Sequence, residues 1–178
     1  MKQGAANSVI YRKDYQPFPW DVAYVKLHFR IESSGTLVGS EMLIERKPDQ
    51  QDGAPLELYG RDLETLSIRV DGEPLPEKHY AISGESMLIE NVPDRFVLSI
   101  EVRIDPENNT AMEGLYQSGR FLLTQCEAEG FRKITWFPDR PDVMTRYEVT
   151  IDAGRSRFPV LLSNGNAVAE GVEGDRHW

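Results

Sequence analysis

The sequence predicts an all-β fold: one curled, β-sandwich-like domain made of many short, mostly antiparallel strands. Several segments alternate apolar and polar residues with the period of a half-buried strand. Gly, Pro, Asn and Asp interrupt these segments about every ten residues, as in sheets joined by short turns. No long window shows the helical period, and the only helical structure expected is a short turn near residues 126–131.

The first elements follow in chain order. Residues 1–10 are expected to be a disordered tail, and the domain is expected to run from 11 to 178. The first strand is predicted over 22–31, where one face carries Ala23, Val25, Leu27, Phe29 and Ile31. The second strand is predicted over 36–46, because Ser34-Gly35 is a turn signal.

The middle and end of the chain continue the alternation. Residues 63–70 place Leu66, Ile68 and Val70 on one face and stop at Asp71-Gly72, a hairpin dipeptide. The remaining predicted strands cover 87–92, 95–104, 146–153, 158–165 and 166–173, with Asn164-Gly165 as a second hairpin turn. In 95–104 the inward residues are Phe96, Leu98, Ile100, Val102 and Ile104. Length and the lack of a linker favour one domain.

Composition excludes several classes of function. The formal net charge of −9, with Lys and Arg dispersed among acids, argues against nucleic-acid binding. A single cysteine excludes an internal disulfide and a zinc ribbon. No run approaches the roughly 18 apolar residues of a membrane span, and the first twenty residues lack a signal sequence. We therefore expect a cytoplasmic protein with no membrane or nucleic-acid partner.

Residues 113–142 are the candidate site, since they are irregular and rich in polar and aromatic side chains. Two glutamates and the only cysteine lie inside an otherwise core-like run at 122–134. Gln125 and Glu127 suit recognition, because a carboxylate beside an amide can hold a ligand's ammonium group. The alternative is that these residues are surface groups or partners of Arg132 and Arg140.

Other chemistry is disfavoured in this segment. Cys126 is a poor nucleophile candidate, because the neighbouring Glu127 and Glu129 should raise its thiol pKa. Those two glutamates, two positions apart, give only a weak signal for paired-carboxylate hydrolysis. The remaining candidates are better explained as structural: an ion-pair group at 139–142, core or interface aromatics at Trp136 and Phe137, and surface histidines at 28, 79 and 177.

A family resemblance rests on long stretches of sequence. Residues 112–149, "MEGLYQSGRFLLTQCEAEGFRKITWFPDRPDVMTRYEV", closely resemble the N-terminal domain of bacterial aminopeptidase N, a zinc metallopeptidase of the HExxH type. The likeness extends through 11–31, 56–75 and 159–178. It implies a saddle-shaped β domain that lies against a catalytic domain of the same polypeptide, and a chain cut near that boundary.

The resemblance also implies roles for two residues. Glu127 would bind the free α-ammonium of a peptide substrate, and Gln125 would line the pocket for its first side chain. The family's HExxH zinc motif and its Gly-Ala-Met-Glu-Asn motif do not occur in these 178 residues. No catalytic or metal-binding residue is therefore expected in this chain; zinc belongs to the full-length enzyme, and this part alone should be inactive.

Two other functions stay open, and one further property is expected. The all-β pattern also fits a free-standing β-sandwich that binds a partner, and a weaker alternative is a hydrolase that uses Glu127 and Glu129 directly. If the domain normally lies against a neighbour, its isolated form should expose an apolar patch and self-associate. That patch is expected around Phe121, Trp136 and Phe137.

Overall fold

The fold was analysed on a computed structural model that describes residues 11–48 and 53–178. The tail predicted over 1–10 lies outside the described residues. The strands are β1 (Trp20–Ile31), β2 (Thr36–Arg46), β3 (Leu56–Tyr59), β4 (Glu64–Val70), β5 (Glu73–Pro74), β6 (Tyr80–Ser83), β7 (Ser86–Ile89), β8 (Arg95–Ile104), β9 (Gly114–Ser118), β10 (Phe121–Gln125), β11 (Arg146–Gly154), β12 (Val172–Glu173) and β13 (Arg176–His177). The helical segments of the described chain are short 3-10 helices at Arg12–Asp14, Glu77–His79 and Phe131–Lys133. The predicted all-β class is confirmed.

The strands form one large sheet and two small ones. The large sheet has eight strands in the order β12-β13-β11-β1-β2-β8-β4-β5. Its pairs are antiparallel except β1 and β11, which run parallel with Tyr24 opposite Arg146. The order β3-β7-β6 makes a three-stranded sheet, and β9 with β10 makes a separate hairpin.

The core lies where the inward faces of these sheets meet. β2 and β8 coincide with predicted strands, and the five alternate apolar residues of β8 are all buried as expected. Trp20 and Phe96 pack edge to face with ring centroids 5.9 Å apart, both nearly inaccessible to solvent. Gly60 permits close packing of the small sheet, because an added Cβ there would lie 2.5 Å from the Trp136 ring.

Two β-bulges displace residues that alternation alone placed inward. In β1 the pairing register shifts between Val22 and Tyr24, so Val22 is buried and Ala23 is exposed. In β4 the register shifts between Thr65 and Ser67, and Leu66 is 41% exposed. The predicted inward positions of Ala23 and Leu66 were therefore wrong, because an extra residue in one strand reverses the facing of its neighbours.

The C-terminal segment also differs from the prediction. Asp71-Gly72 does form the expected hairpin turn, with φ of +51° and +85°. Residues 158–165, however, form no strand, and 166–173 contribute only β12. Asn164-Gly165 lies in a bend without flanking strands. Val160, Leu162 and Val168 are 69%, 85% and 89% exposed, so strand-forming residue types here lack a surface to pack against.

Candidate functional site

The candidate site begins at the end of a tight hairpin. β9 and β10 pair antiparallel, with Ser118 opposite Phe121 and Gly114 opposite Gln125. Only Gly119 and Arg120 connect them, and Gly119 has a φ of +59°, as the first central residue of a type II′ turn requires. The hairpin was not predicted, because residues 113–142 were expected to be irregular. It places Gln125 at an exposed position at the end of β10.

A compact turn over residues 126–130 follows β10. The Gly130 amide donates to the Cys126 carbonyl oxygen over 2.9 Å, and the Gln125 side-chain amide donates to the Glu127 carbonyl oxygen over 3.3 Å. Gly130 is buried, and an added Cβ would lie 2.8 Å from the Gln125 carbonyl oxygen. The turn therefore folds back tightly on the strand. The expected helical turn begins just after it, as the 3-10 helix Phe131–Lys133.

Arg132 anchors this turn to the domain. Its guanidinium donates to Glu129 over 3.0 Å and to Asp139 over 3.1 Å, and Asp139 also accepts from the Arg132 backbone amide. The side chains of Arg132 and Asp139 are only 11% and 10% exposed. The guanidinium also lies 5.0 Å from the ring centroid of Tyr59. A buried cation with this many partners fixes the position of residues on both sides of it.

Glu127 projects from this anchored turn. Both Gln125 and Glu127 are exposed, and among the described residues Glu127 makes no ion pair. Glu129, not Glu127, pairs with Arg132, while Arg140 pairs with Asp142 over 2.8 Å. The part of the alternative in which Glu127 pairs with Arg132 or Arg140 is therefore wrong. The other part, in which Gln125 and Glu127 are surface groups, agrees with their exposure and stays open.

Cys126 is half-buried and poorly suited to nucleophilic catalysis. Burial raises the pKa of its thiol to about 11, and the nearby Asp139 carboxylate adds to this increase in pKa. The direction agrees with the expectation, but the cause does not, because the adjacent Glu127 and Glu129 were expected to be responsible. At neutral pH the side chain is a neutral thiol that fills space beneath the turn.

The predicted ion-pair group at 139–142 is divided between two networks. Asp142 accepts from Arg140, from the Tyr15 hydroxyl over 2.8 Å and from the Phe18 amide over 3.2 Å. The Arg140 guanidinium holds the pKa of the Asp142 carboxyl well below its usual range, and Tyr15 and the Phe18 amide lower this pKa further. Asp139 belongs instead to the Arg132 network. Its partner could not be identified from the sequence, because the contact depends on how the loop folds.

Trp136 and Phe137 are core residues, each 4% exposed. The Trp136 indole donates to the Thr65 hydroxyl over 2.8 Å, and Phe137 packs edge to face on Phe131 with centroids 4.8 Å apart. The apolar patch expected around Phe121, Trp136 and Phe137 is therefore wrong for the last two residues. Phe121 itself is 59% exposed.

The described residues offer no metal site. They contain no group of three or more His, Cys, Asp or Glu side chains that could hold an ion. His28 faces outward from β1, His79 ends a 3-10 helix and His177 lies in β13, where its Nε2 is 2.7 Å from the Phe158 carbonyl oxygen. An open cleft elsewhere, lined by residues that include Asp62, Glu64, Arg103 and Asp105, contains neither Gln125 nor Glu127. In the described ranges, no helix has the length and apolar character that crossing a membrane requires.

Comparison with known proteins gives consistent results for sequence and structure. The family model described as the peptidase M1 N-terminal domain matches residues 62–178. Aminopeptidase N of Caulobacter vibrioides is 48% identical over 166 residues, 93% of this chain and 19% of that protein. Aminopeptidase N of Escherichia coli is 43% identical over 169 residues, 94% of this chain and 19% of that protein. The chain thus spans about a fifth of the length of the curated relatives it matches.

Solved structures show the same fold. The crystal structure of Legionella pneumophila aminopeptidase A in complex with aspartic acid superposes with a TM-score of 0.86 at 26% identity, over 93% of this chain and 20% of that one. The M1 zinc metallopeptidase of Deinococcus radiodurans superposes with a TM-score of 0.70 at 11% identity, over 89% of this chain and 38% of that one, which shows the fold alone. The family match, the close relatives and the fold together establish that this chain belongs to the peptidase M1 N-terminal domain family.

Proposed function

We propose that this chain serves as the N-terminal domain of a zinc aminopeptidase and contributes to its substrate site. Glu127 binds the free α-ammonium of the peptide, and Gln125 contacts the first side chain. The observation that carries the proposal is the exposed Glu127 carboxylate, which projects from an anchored turn and makes no ion pair within the described part of the chain.

The geometry of the turn suits recognition of a positive charge. The turn is fixed to the domain by the hydrogen bonds of Arg132 to Asp139 and Glu129. Glu127 therefore has a defined position, while no cation among the described residues neutralises its charge. A charge-assisted hydrogen bond contributes about 1.5–3 kcal/mol when water is displaced from around it. An aminopeptidase must distinguish a charged chain end from an internal amide, and a carboxylate at the end of the site makes that distinction. The ion pair between Glu127 and the substrate ammonium also orients the scissile bond.

The remaining chemistry would come from outside this chain. Because the described residues contain no metal-holding group, zinc and the catalytic residues would belong to the rest of the polypeptide. Aminopeptidase N relatives are about five times as long as this chain, which leaves room for a catalytic domain beside it. A reducing compartment such as the cytoplasm suits a chain with one cysteine.

A domain exchange tests the assignment of Glu127. This chain would replace the matching part of Caulobacter vibrioides aminopeptidase N, and kcat/KM would be measured for an aminoacyl substrate. We expect Glu127→Gln to lower kcat/KM by at least about tenfold, equivalent to about 1.4 kcal/mol, because the ammonium loses its carboxylate partner.

The matched control is Glu73→Gln, which makes the same chemical change at an exposed position in β5. It should leave kcat/KM unchanged. Kinetics of the Glu127→Gln exchange protein equal to those of its parent, with the fold intact by circular dichroism, would refute the proposed role of Glu127.

A further inference from the structure

Within the described chain, β11 has an open edge along most of its length. Its parallel partner β1 covers one side over residues 146–152. On the other side β13 pairs only with Ala153 and Gly154, at the end of the strand. Among the described residues, no other strand of the large sheet lies beside β11. Most of the strand therefore has a neighbour on one side only.

Hydrogen bonds near that end determine which backbone groups face the open side. The Arg155 amide donates to the Asp175 carbonyl oxygen over 2.8 Å, in the same register that places Ala153 opposite His177. Every second pair of an antiparallel ladder exchanges hydrogen bonds, so Ala153 and His177 also form a hydrogen-bonded pair. By alternation, three further residues direct their N–H and C=O groups to the side of β13: Tyr147, Val149 and Ile151.

The turn between β1 and β2 gives the same assignment independently. The Glu32 amide donates to the Gly35 carbonyl oxygen over 3.2 Å, so Glu32 faces β2 and, by alternation, Phe29 faces β11. In a parallel ladder a residue bonds to the two neighbours of the residue opposite it, so Phe29 bonds to Thr150 and Asp152. The residue between those two therefore makes no backbone hydrogen bond to β1, and its groups point to the open edge.

The side chains along this edge also suit a covering strand. Tyr147, Val149 and Ile151 share one face of β11 and carry no charge. Val149 packs against the core, and the Tyr147 ring contacts the Phe131 ring with centroids 5.9 Å apart. Tyr147 is nevertheless 50% exposed. The edge thus combines unused backbone groups with a partly exposed apolar row, and it contains no proline that would prevent pairing.

β13 indicates the direction from which a covering strand would come. It runs antiparallel to β11, and the Trp178 amide and carbonyl oxygen both bond to Gly171 over 3.0 Å. Trp178 thus faces away from β11, as alternation after His177 requires. A strand that continues β13 in the same register would place its first, third and fifth residues after Trp178 opposite three residues of β11: Ile151, Val149 and Tyr147.

We propose that the polypeptide after Trp178 forms an antiparallel strand on the open edge of β11 and so continues the ladder that β13 begins. The inference rests on the proposed function, in which this chain is the N-terminal part of a longer enzyme. The strand is amphipathic, because its first, third and fifth side chains lie on the same face as Val149 and must be apolar. Since Tyr147 contacts Phe131, the strand also adjoins the support of the Glu127 turn.

Hydrogen exchange tests the pairing in the exchange protein described above, with single amides resolved by mass spectrometry. We expect the amides of Tyr147, Val149 and Ile151 to exchange at least about 100-fold more slowly there than in the 178-residue chain. The amides of Thr150 and Asp152 are internal controls and should be protected in both proteins, because they bond to β1. Equal exchange of the first three amides in the two proteins would overturn the proposal.

Proline substitutions after Trp178 identify the covering strand. In the exchange protein these residues come from the Caulobacter vibrioides enzyme. Proline at the third residue removes the N–H that faces Val149, so the Val149 and Ile151 amides should exchange as fast as in the 178-residue chain. The matched control is proline at the fourth residue, whose N–H points away from β11, and protection should persist. Protection that is the same in both variants, whether kept or lost, would exclude this register.

Kinetic measurements separate this inference from the proposed role of Glu127. Glu127→Gln in the exchange protein should lower kcat/KM and leave the protection of β11 unchanged. Parental kinetics in Glu127→Gln, together with protected Val149 and Ile151 amides, would refute the substrate role alone. A lower kcat/KM together with unprotected amides would refute the added strand alone.

Discussion

At the scale of single residues, two arginines organise the surroundings of the site through different carboxylates. Arg132 joins Glu129 and Asp139 beneath the 126–130 turn, and Arg140 joins Asp142. The second pair is two residues apart and was predicted from the sequence. The first depends on the path of the loop, so residue spacing could not identify it. The exposure of Glu127 follows from this division, because its neighbours satisfy the nearby cations.

Asp142 should contribute measurably to stability. It accepts four hydrogen bonds, from two nitrogens of Arg140, from Tyr15 and from the Phe18 amide, and so ties the start of the domain to the 139–142 turn. We expect Asp142→Asn to lower the free energy of unfolding at pH 7 by about 1–3 kcal/mol, as for other hydrogen bonds to charged groups. Urea denaturation would measure this difference.

The pH dependence of that difference has a definite sign. Because the folded-state pKa of Asp142 is lowered, its stabilising effect is complete above the unfolded carboxyl pKa, near 4, and is lost as pH falls through the folded value. The difference in the free energy of unfolding between Asp142→Asn and the original chain should therefore become smaller below about pH 5. Asp21→Asn, at an exposed residue paired with Lys47, should change stability by less than about 1 kcal/mol. A gap that widened on acidification would contradict this account.

At the scale of elements, regular strands were predictable and interruptions of regularity were not. Burial alternates from residue to residue along most of β2 and β8, and both strands match their predicted bounds. Bulges in β1 and β4 depend on pairing with a neighbouring strand, which one segment's sequence does not specify. After residue 154 the error was the opposite one, since a strand was predicted over 158–165 and none forms. Residues such as Val160 and Leu162 have strand-forming side chains but no sheet to join.

The β9–β10 hairpin depends on two glycines with different surroundings. Gly114 and Gly119 have φ of +68° and +59°, so alanine at either is strained by about 1–2 kcal/mol. An added Cβ meets nothing within 4 Å at Gly119 but lies 2.7 Å from the Lys133 Cβ at Gly114. We expect Gly114→Ala to cost about 1–3 kcal/mol more than Gly119→Ala, because it adds overpacking to the same backbone strain. Equal losses in urea denaturation would show that Lys133 moves aside freely.

At the scale of the whole molecule, the family resemblance indicated more about the candidate site than any local sequence pattern did. Gln125 and Glu127 were chosen as candidates from their chemistry and from that resemblance, and the structure places both on the surface. Their roles in binding a substrate stay predictions. The structure adds the support for the turn, above all Arg132 and Gly130, which no short motif indicated.

The chain alone should be inactive. We predict that the 178-residue protein hydrolyses no aminoacyl substrate, with or without added zinc, because the family resemblance assigns the HExxH zinc site to a catalytic domain and that motif does not occur in these residues. A fluorogenic aminoacyl amide assay would measure this, with the exchange protein described above as the positive control. Turnover that depended on both Glu127 and Glu129 would instead support direct hydrolysis by these two carboxylates.

The position of β1 has a consequence for the order of folding. β1 lies between β2, which follows it directly, and β11, whose register begins at Arg146 opposite Tyr24. A chain leaving the ribosome can complete the first pairing early, but the second must wait until more than a hundred further residues have been synthesised. One side of β1 therefore stays open during translation, and closing a loop of this length is entropically slow. Nascent chains should be most vulnerable to aggregation and to chaperone capture during that interval.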